Sequence, residues 1–214
     1  MSEGTSKVSG VLDSADVRAS IEAVTALGAK VDLKKQSDGS LTGEITGWGS
    51  KGPKQPAAPI NCLNSGTTAR LLMGILAPWD IEVEITGDES LCMRPMRRIT
   101  APLMLMGAKF SPEGAETLPI TIHGNRNLKA IQYESPMASA QLKSAILLAG
   151  VYANGKTSVT EPEQSRTHTE LMLSQYGVET VAQTRYAEVS GPVQMKAADL
   201  NVPGDASSAA FLCC

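Results

Sequence analysis

Residues 105–110, with the sequence LMGAKF, end a helical stretch with a glycine and lead directly into a strand-like stretch. The same step occurs as ALGAKV at residues 26–31 and as QYGVET at residues 175–180. The three glycines lie about 70 to 80 residues apart, and a repeat at that period sets the architecture of a chain. We therefore predict three related structural units.

Length and composition place the chain among ordinary globular proteins. It has 214 residues, 42% hydrophobic and 19% charged, which suffices for one large domain or two small ones with a sizeable core. Aromatic residues make up only 4%, so the core must consist mainly of aliphatic side chains and methionine. The net charge of −3 gives no reason to expect nucleic acid or an anionic membrane as a partner.

The cysteines and the N-terminal sequence predict a cytoplasmic protein. No apolar run approaches the length of a membrane span, and the N-terminus lacks the pattern of a signal peptide. Cys62, Cys92, Cys213 and Cys214 form no CxxC pair and no disulfide-like framework, which is typical of a reducing compartment. The two histidines lie far apart in sequence, so we predict no metal site.

Hydrophobic periodicity predicts a helix, a strand, a second helix and two further strands in each unit. In the second unit these are residues 65–77, 81–85, 95–106, 109–110 and 118–123. In the third unit they are residues 139–148, 157–160, 166–175, 178–181 and 186–189. The first unit has a strand at 5–11, a helix at 13–27 and a closing strand pair at 29–33 and 41–45.

The first unit therefore lacks its first helix, and a Gly- and Pro-rich stretch at 47–59 is predicted to be a loop. We predict an α/β domain of three repeats over residues 1–200, with the first helix of repeat one absent. Residues 201–214 begin a new element and end in an apolar run without a stop signal. We expect both ends to be truncated relative to a complete fold.

The start of the first helix in unit two suits an anion site. Helix N-termini present free N–H groups and a partial positive charge. In the motif NSGTTAR at residues 64–70, Gly66 would let a ligand approach the backbone closely, and Thr67 adds a hydroxyl donor. An ordinary N-cap by Asn64 or Ser65 explains the same spacing, so both interpretations stay open.

A basic cluster, RPMRR at residues 94–98, begins the second helix of unit two. Guanidinium groups can bind a carboxylate or phosphate through two hydrogen bonds, whereas the helix dipole disfavours cations at this end. We therefore predict that at least one of the three arginines has an anionic partner. A solvated basic surface is the alternative.

The third unit repeats both features, as SAQLKSA at residues 139–145 and SRTHTE at residues 165–170. Ser139 and Gln141 can donate hydrogen bonds to a sugar hydroxyl or a phosphate, with a plain N-cap by Ser139 as the alternative. Ser165 with His168 resembles half of a nucleophilic pair, but no third group is evident, so a surface helix cap is the simpler interpretation. The four helix starts occupy equivalent places in a repeat and could converge into one pocket for several anions.

These segments closely resemble the signatures of the 5-enolpyruvylshikimate-3-phosphate synthase family. The resemblance covers nearly the whole chain, through residues 64–70, 87–98, 139–145, 165–170 and 204–209. It implies three βαβαββ units packed around buried helices, whose N-termini face a cleft between two domains. It also implies transfer of the carboxyvinyl group of phosphoenolpyruvate to the 5-hydroxyl of shikimate 3-phosphate, with release of phosphate and without a metal or organic cofactor.

The resemblance assigns site residues to each substrate. For phosphoenolpyruvate they are Asn64, Gly66, Thr67, Arg94 and Gln141. For shikimate 3-phosphate they are Ser139, Ala140, Gln141, Ser165 and Arg166. Gln141 would lie between both substrates, while Arg70 and Ser165 are weaker matches.

Two parts of the family's site have no match in this sequence. The lysine-serine-arginine segment would lie on the absent first helix of unit one, and the acid–base carboxylates would belong to a second domain. The resemblance therefore gives no catalytic residue in this chain. We expect residues 201–214 to start the return into that second domain. We also expect the chain alone to be inactive. The alternatives are a non-catalytic anion-binding or interaction domain and UDP-N-acetylglucosamine enolpyruvyl transferase, whose motifs differ at the equivalent loops.

Overall fold

Three four-stranded sheets with one common topology make up the fold, one sheet for each predicted unit. The computed structural model describes residues 1–204. Most of the fifth signature, residues 205–209, and the pair Cys213 and Cys214 lie outside the described residues. The predicted α/β architecture of three related units is confirmed.

Unit one contributes one helix and three strands that are consecutive in sequence. They are β1 (Thr5–Val11), α1 (Ala15–Ala26), β2 (Lys30–Lys35) and β3 (Leu41–Thr46). Ser14 caps α1, because its side chain accepts a hydrogen bond from the Val17 N–H. The predicted loop that follows contains one 3-10 turn, Gly49–Lys51.

Units two and three each contain a short strand, a helix, a long strand, a second helix and a closing strand pair. Unit two consists of β4 (Ile60–Asn61), α2 (Gly66–Leu76), β5 (Glu82–Thr86), α3 (Glu89–Cys92), α4 (Arg97–Met106), β6 (Lys109–Ser111) and β7 (Ile120–His123). Unit three consists of β8 (Gln132–Glu134), α5 (Ala140–Gly150), β9 (Gly155–Thr160), α6 (His168–Gln175), β10 (Thr180–Gln183) and β11 (Tyr186–Gly191). The short helix α3 is one element that periodicity did not predict, because a single turn shows no period.

The second helices of units two and three begin two residues later than predicted. Pro95 does not open α4, because Met96 is the N-cap. The Met96 carbonyl oxygen accepts the Thr100 N–H at 3.1 Å, while its own N–H donates to the carbonyl oxygen of Glu116 at 2.6 Å. The prediction that Arg166 opens α6 is wrong as well, since this helix begins at His168. The preceding segment is held by a hydrogen bond from Ser165 to Glu161.

One short strand completes each sheet by pairing in parallel with a longer strand. β4 pairs with β5, β8 pairs with β9, and β12 (Leu200–Asn201) pairs with β1. The last of these strands brings the end of the described chain back to unit one. β12 spans residues 200 and 201, between which the boundary of the first domain was predicted. The assignment of residues 201–214 to the start of a second domain stays a prediction.

The helices α2 and α5 form the buried centre of the fold. Every residue of α5 from Leu142 to Gly150 is buried, and the surrounding core is built mainly from Leu, Ile, Val, Ala and Met, as predicted. Arg70 contacts Gln141 and Gly74 contacts Ala145, so the two helices run parallel and begin at the same end of the domain. No helix among the described residues is long and apolar enough to cross a membrane.

The crossing of α2 and α5 depends on the absence of a side chain at residue 74. A Cβ atom on Gly74 would lie 2.7 Å from the Cα atom of Ala145 and even closer to its carbonyl oxygen. Since these are backbone atoms, the helices would have to separate. We expect Gly74→Ala to destabilise the chain by about 2 kcal/mol, a typical cost of overpacking, as measured by urea unfolding.

The sign of the Gly74→Ala effect makes this a sharp test. Helix propensity alone predicts that Ala in place of Gly stabilises a helix by about 1 kcal/mol. A free energy of unfolding that stays equal or rises would therefore contradict close backbone packing at this point.

Candidate functional site

The N-terminal ends of α2, α4 and α5 meet at the side chain of Gln141. Its Oε1 atom accepts hydrogen bonds from Arg70 Nη1 at 2.9 Å and from Arg98 Nη2 at 3.4 Å. Its Nε2 atom donates to Thr67 Oγ1 at 2.8 Å. One glutamine thus joins side chains from three helices, and the helix starts of unit two lie beside the first helix start of unit three.

The cap of α2 is Ser65, so the side chain of Asn64 has another role. Ser65 Oγ accepts a hydrogen bond from the Thr68 N–H at 3.3 Å. Asn64 Oδ1 accepts from Arg94 Nη2 at 2.6 Å, while Asn64 Nδ2 donates to the Asp88 carboxylate at 2.8 Å. The N-cap interpretation of this motif is therefore confirmed for Ser65, while Asn64 orients Arg94 and the anion-site interpretation stays a prediction.

Two guanidinium groups lie directly over the backbone of Gly66. A Cβ atom at this position would be 2.8 Å from Arg70 Nη1 and 3.3 Å from Arg94 Nη1. A larger residue would push both groups away, since side-chain ends move more easily than backbone. Gly66 thus leaves room for the approach of Arg70 and Arg94 to the start of α2.

Arg70, Arg94 and Arg98 form a cluster of positive charge, which we call the arginine cluster. In the described part of the chain none of the three forms an ion pair, whereas Arg97 pairs with the exposed carboxylate of Glu116 at 3.0 Å. The prediction that one arginine of residues 94–98 has an anionic partner is therefore confirmed for Arg97. The other two arginines of this segment remain available to a ligand.

Burial and mutual repulsion make the arginine cluster energetically unfavourable when no ligand is bound. Arg70 is only 6% exposed, and its burial, followed by the charges of Arg98 and Arg94, lowers the pKa of its guanidinium. The Nε atoms of Arg70 and Arg98 are buried without a hydrogen-bond partner. Because buried polar groups are normally paired, these features indicate that a bound anion would complete the site.

In unit three, two predicted site residues are connected through Glu161, the residue directly after β9. The Ser139 N–H donates to Glu161 Oε1 at 3.0 Å, while Ser139 Oγ caps α5 by accepting from the Leu142 N–H. Ser165 Oγ donates to Glu161 Oε2 at 2.8 Å. Ser139 therefore serves as an N-cap, and its segment lies next to the segment of Ser165.

The remaining predicted residues of unit three lie around these serines. Ala140 is the first residue of α5 and is partly exposed, and Arg166 is exposed beside Ser165. His168 is exposed as well, and the Ser165 hydroxyl donates to Glu161 instead of to this histidine. Ser165 is not the cap of α6 either, since that position belongs to Thr167.

A buried ionic network that sequence reasoning missed lies behind these residues. Lys143 Nζ is 3.0 Å from Glu161 Oε2 and 2.8 Å from Glu170 Oε1, and its side chain is 4% exposed against 1% for each glutamate. We call these three residues the Lys143 network. The sequence feature that could have revealed the network is Lys143 within the mostly apolar helix α5, because a buried lysine requires a charged partner.

Glu161 is expected to make the stability of the chain sensitive to acid. Burial alone would raise the pKa of this carboxyl, but hydrogen bonds from Ser165, Lys143 and the Ser139 N–H outweigh burial and leave the pKa below its ordinary value. A lowered pKa contributes stability that is fully present above the unfolded-state value of about 4.3 and is lost as the pH falls through the folded-state value.

We therefore expect the free energy of unfolding to decrease as the pH is lowered from about 5 to about 3, with a smaller decrease in Glu161→Gln. Urea titrations at several pH values would measure this. Glu163→Gln is the matched control, because Glu163 is exposed two residues further along. Equal slopes for wild type and Glu161→Gln would contradict the prediction.

Comparison with known proteins identifies the family. A family model described as EPSP synthase (3-phosphoshikimate 1-carboxyvinyltransferase) matches residues 1–214. The 3-phosphoshikimate 1-carboxyvinyltransferases of Xanthomonas campestris pv. campestris (strain B100) and Methylococcus capsulatus are 43% and 44% identical to the chain, and each match covers 99% of it. A solved structure of EPSP synthase from Acinetobacter baumannii superposes with a TM-score of 0.89 at 43% identity.

These matches cover only part of each relative. The aligned region is 47% of the length of both curated relatives and 47% of the Acinetobacter chain, against 99% of this chain. The chain thus spans about half the length of the curated relatives that it matches. The family that the five signatures resemble is confirmed over all 214 residues: the chain belongs to the EPSP synthase (3-phosphoshikimate 1-carboxyvinyltransferase) family.

Proposed function

We propose that this chain binds phosphoenolpyruvate and shikimate 3-phosphate for transfer of the carboxyvinyl group of phosphoenolpyruvate to the 5-hydroxyl of shikimate 3-phosphate, with release of phosphate. This reaction belongs to aromatic amino acid biosynthesis by the shikimate pathway. The observation that carries the proposal is the arginine cluster, in which Arg70 is buried, the Nε atoms of Arg70 and Arg98 have no hydrogen-bond partner, and none of the three guanidinium groups has a carboxylate partner among the described residues.

Phosphoenolpyruvate would bind at the arginine cluster. Its phosphate and carboxylate groups are the planar or multidentate anions that guanidinium groups bind best. Arg94, oriented by Asn64, and Arg70, held by Gln141, would each donate to this ligand. Gly66 supports the assignment, because both guanidinium groups lie over its backbone.

Shikimate 3-phosphate would bind beside it, at the start of α5. The free N–H groups of this helix start and its partial positive charge favour a phosphate, and Ser139 and Ala140 lie there. Ser165 and the exposed Arg166 would contribute from the segment before α6. Gln141 would then contact both ligands and hold them close enough for reaction, which is a large part of catalysis by proximity.

Proton transfer is the part of the reaction for which these residues offer no candidate. Asp88 is already hydrogen-bonded to Asn64 and to the Leu91 N–H, and Glu161 is occupied by two serines and Lys143. We propose that the acid–base groups come from a second domain, which corresponds to the part of the relatives that this chain does not cover. The proposed location is the cytoplasm, from the cysteine pattern.

Calorimetric titration of the purified 214-residue chain would test the proposal. We expect shikimate 3-phosphate to bind, and Ser139→Ala and Arg166→Ala to weaken binding while Arg97→Ala leaves it unchanged. We also expect no release of phosphate from the two substrates together. Phosphate release would contradict the predicted inactivity, and equal affinity for inorganic phosphate and shikimate 3-phosphate would favour the non-catalytic anion-binding alternative.

A further inference from the structure

We propose that Glu161 is a positioning residue that holds the two segments of the shikimate 3-phosphate site in register. This inference rests on the proposed function of Ser139 and Ser165. Each oxygen of the Glu161 carboxylate binds a different segment, with Oε1 accepting from the Ser139 N–H at 3.0 Å and Oε2 accepting from Ser165 Oγ at 2.8 Å.

The environment of Glu161 fixes the carboxylate in place. Its side chain is 1% exposed, and Lys143 Nζ lies 3.0 Å from Oε2. The backbone is held too, because its carbonyl oxygen accepts from Arg185 Nε at 2.9 Å and its N–H donates to the Arg185 carbonyl oxygen at 2.8 Å. A buried, charged and doubly anchored group can set the distance between two segments more rigidly than a solvated one.

Lys143 extends the connection to the second helix of the unit. Its ammonium group also lies 2.8 Å from Glu170 Oε1, and Glu170 is in the first turn of α6. Ser144 Oγ and Thr169 Oγ1 form a further contact between α5 and α6 at 2.6 Å. The segment that carries Ser165 and Arg166 is therefore fixed on one side through Glu161 and on the other through the start of α6.

The internal repeat supports the same role for an acidic residue. In each unit a carboxylate follows the long strand, as Asp13 after β1, Asp88 after β5 and Glu161 after β9. Asp88 binds both the Asn64 side chain, before α2, and the Leu91 N–H of α3. In units two and three, this carboxylate connects the start of the first helix to the segment that follows the strand, and in unit three that segment carries Ser165.

The experiment compares Glu161→Gln with the exposed control Glu163→Gln in the 214-residue chain. Calorimetry with shikimate 3-phosphate should give about tenfold weaker binding for Glu161→Gln, the usual effect of losing a charge-assisted contact, and no change for the control. Binding of inorganic phosphate at the arginine cluster should be the same in both variants, whereas general unfolding would weaken it.

The amide resonance of Ser139 reports on its hydrogen bond to Glu161 without any substrate. In 1H–15N spectra its proton should lie downfield in wild type, because it donates to a carboxylate, and should shift upfield in Glu161→Gln. If wild type fails to bind shikimate 3-phosphate, the proposed function fails, while this resonance still tests the contact. An unchanged Ser139 resonance, or unchanged substrate affinity in a folded Glu161→Gln variant, would overturn the positioning role.

A second variant keeps the test decisive if Glu161→Gln does not fold. The triple change Glu161→Gln, Lys143→Met and Glu170→Gln removes all three charges together and so avoids an unpaired buried charge. It should fold, keep phosphate binding at the arginine cluster and still bind shikimate 3-phosphate about tenfold more weakly. Wild-type affinity for that substrate in the triple variant would overturn the proposal.

Discussion

Lys143→Met is expected to destabilise the chain by about 3–5 kcal/mol, the cost of removing one partner from a buried ion pair. Lys143 is the ammonium group between Glu161 and Glu170, and all three side chains are almost fully buried. Methionine fills the space of the lysine stem but leaves two carboxylates without a cation. Glu170 is already under-satisfied, since its Oε2 atom is buried without a partner.

Urea unfolding would measure this effect, with Lys156→Met as the matched control. Lys156 lies 3.0 Å from Glu188, a distance close to those of Lys143, but its side chain is 69% exposed. An exposed pair contributes about 1 kcal/mol or less, so the control should remain near wild type. The loss in Lys143→Met should also shrink at acidic pH, where the Glu161 carboxyl can protonate. Equal effects of the two substitutions would contradict the role given to burial.

The parts of the fold that could be predicted from sequence are those with enough residues to show a period. The strand β1 was predicted with its observed bounds, Thr5–Val11, because its seven residues fit the strand of the repeat. The short strands β4, β8 and β12 were not located. Their pairing depends on the neighbouring strand and leaves no pattern of its own in the sequence.

The site was predictable to the level of segments and not to the level of contacts. The repeat suggested that the helix starts could converge, and Thr67, Arg70, Arg98 and Gln141 do meet. The sequence could not show which arginine of residues 94–98 faces Gln141 and which faces Glu116, because that depends on the orientation of α4 in the packed domain. The Lys143 network likewise joins residues from α5, α6 and the end of β9, which only tertiary structure brings together.

Arg70→Met is expected to weaken ligand binding without destabilising the unliganded chain, because the arginine cluster stabilises a bound anion but is unfavourable for the fold when no anion is bound. Loss of the most buried guanidinium should weaken binding of phosphoenolpyruvate by about 100-fold, within the range found when one partner of a buried charged contact is truncated. Without a ligand, the substitution removes repulsion from Arg98 and Arg94 and a buried Nε atom without a partner. The free energy of unfolding of the unliganded chain should therefore stay equal or rise, although the hydrogen bonds from Arg70 to Gln141 and to the Pro95 carbonyl oxygen are lost.

Thermal unfolding with and without phosphoenolpyruvate, together with calorimetry, would measure both effects of Arg70→Met. Arg97→Met is the matched control, since Arg97 belongs to the same basic segment but pairs with Glu116 and is 74% exposed. The control should keep its affinity and its ligand-induced stabilisation. If Arg70→Met destabilises the unliganded chain and leaves affinity unchanged, Arg70 serves the packing of α2 against α5 and not a ligand. If Arg70→Met instead leaves the unliganded chain stable and weakens binding of phosphoenolpyruvate, then Arg70 is kept buried without an anionic partner because its partner is the substrate.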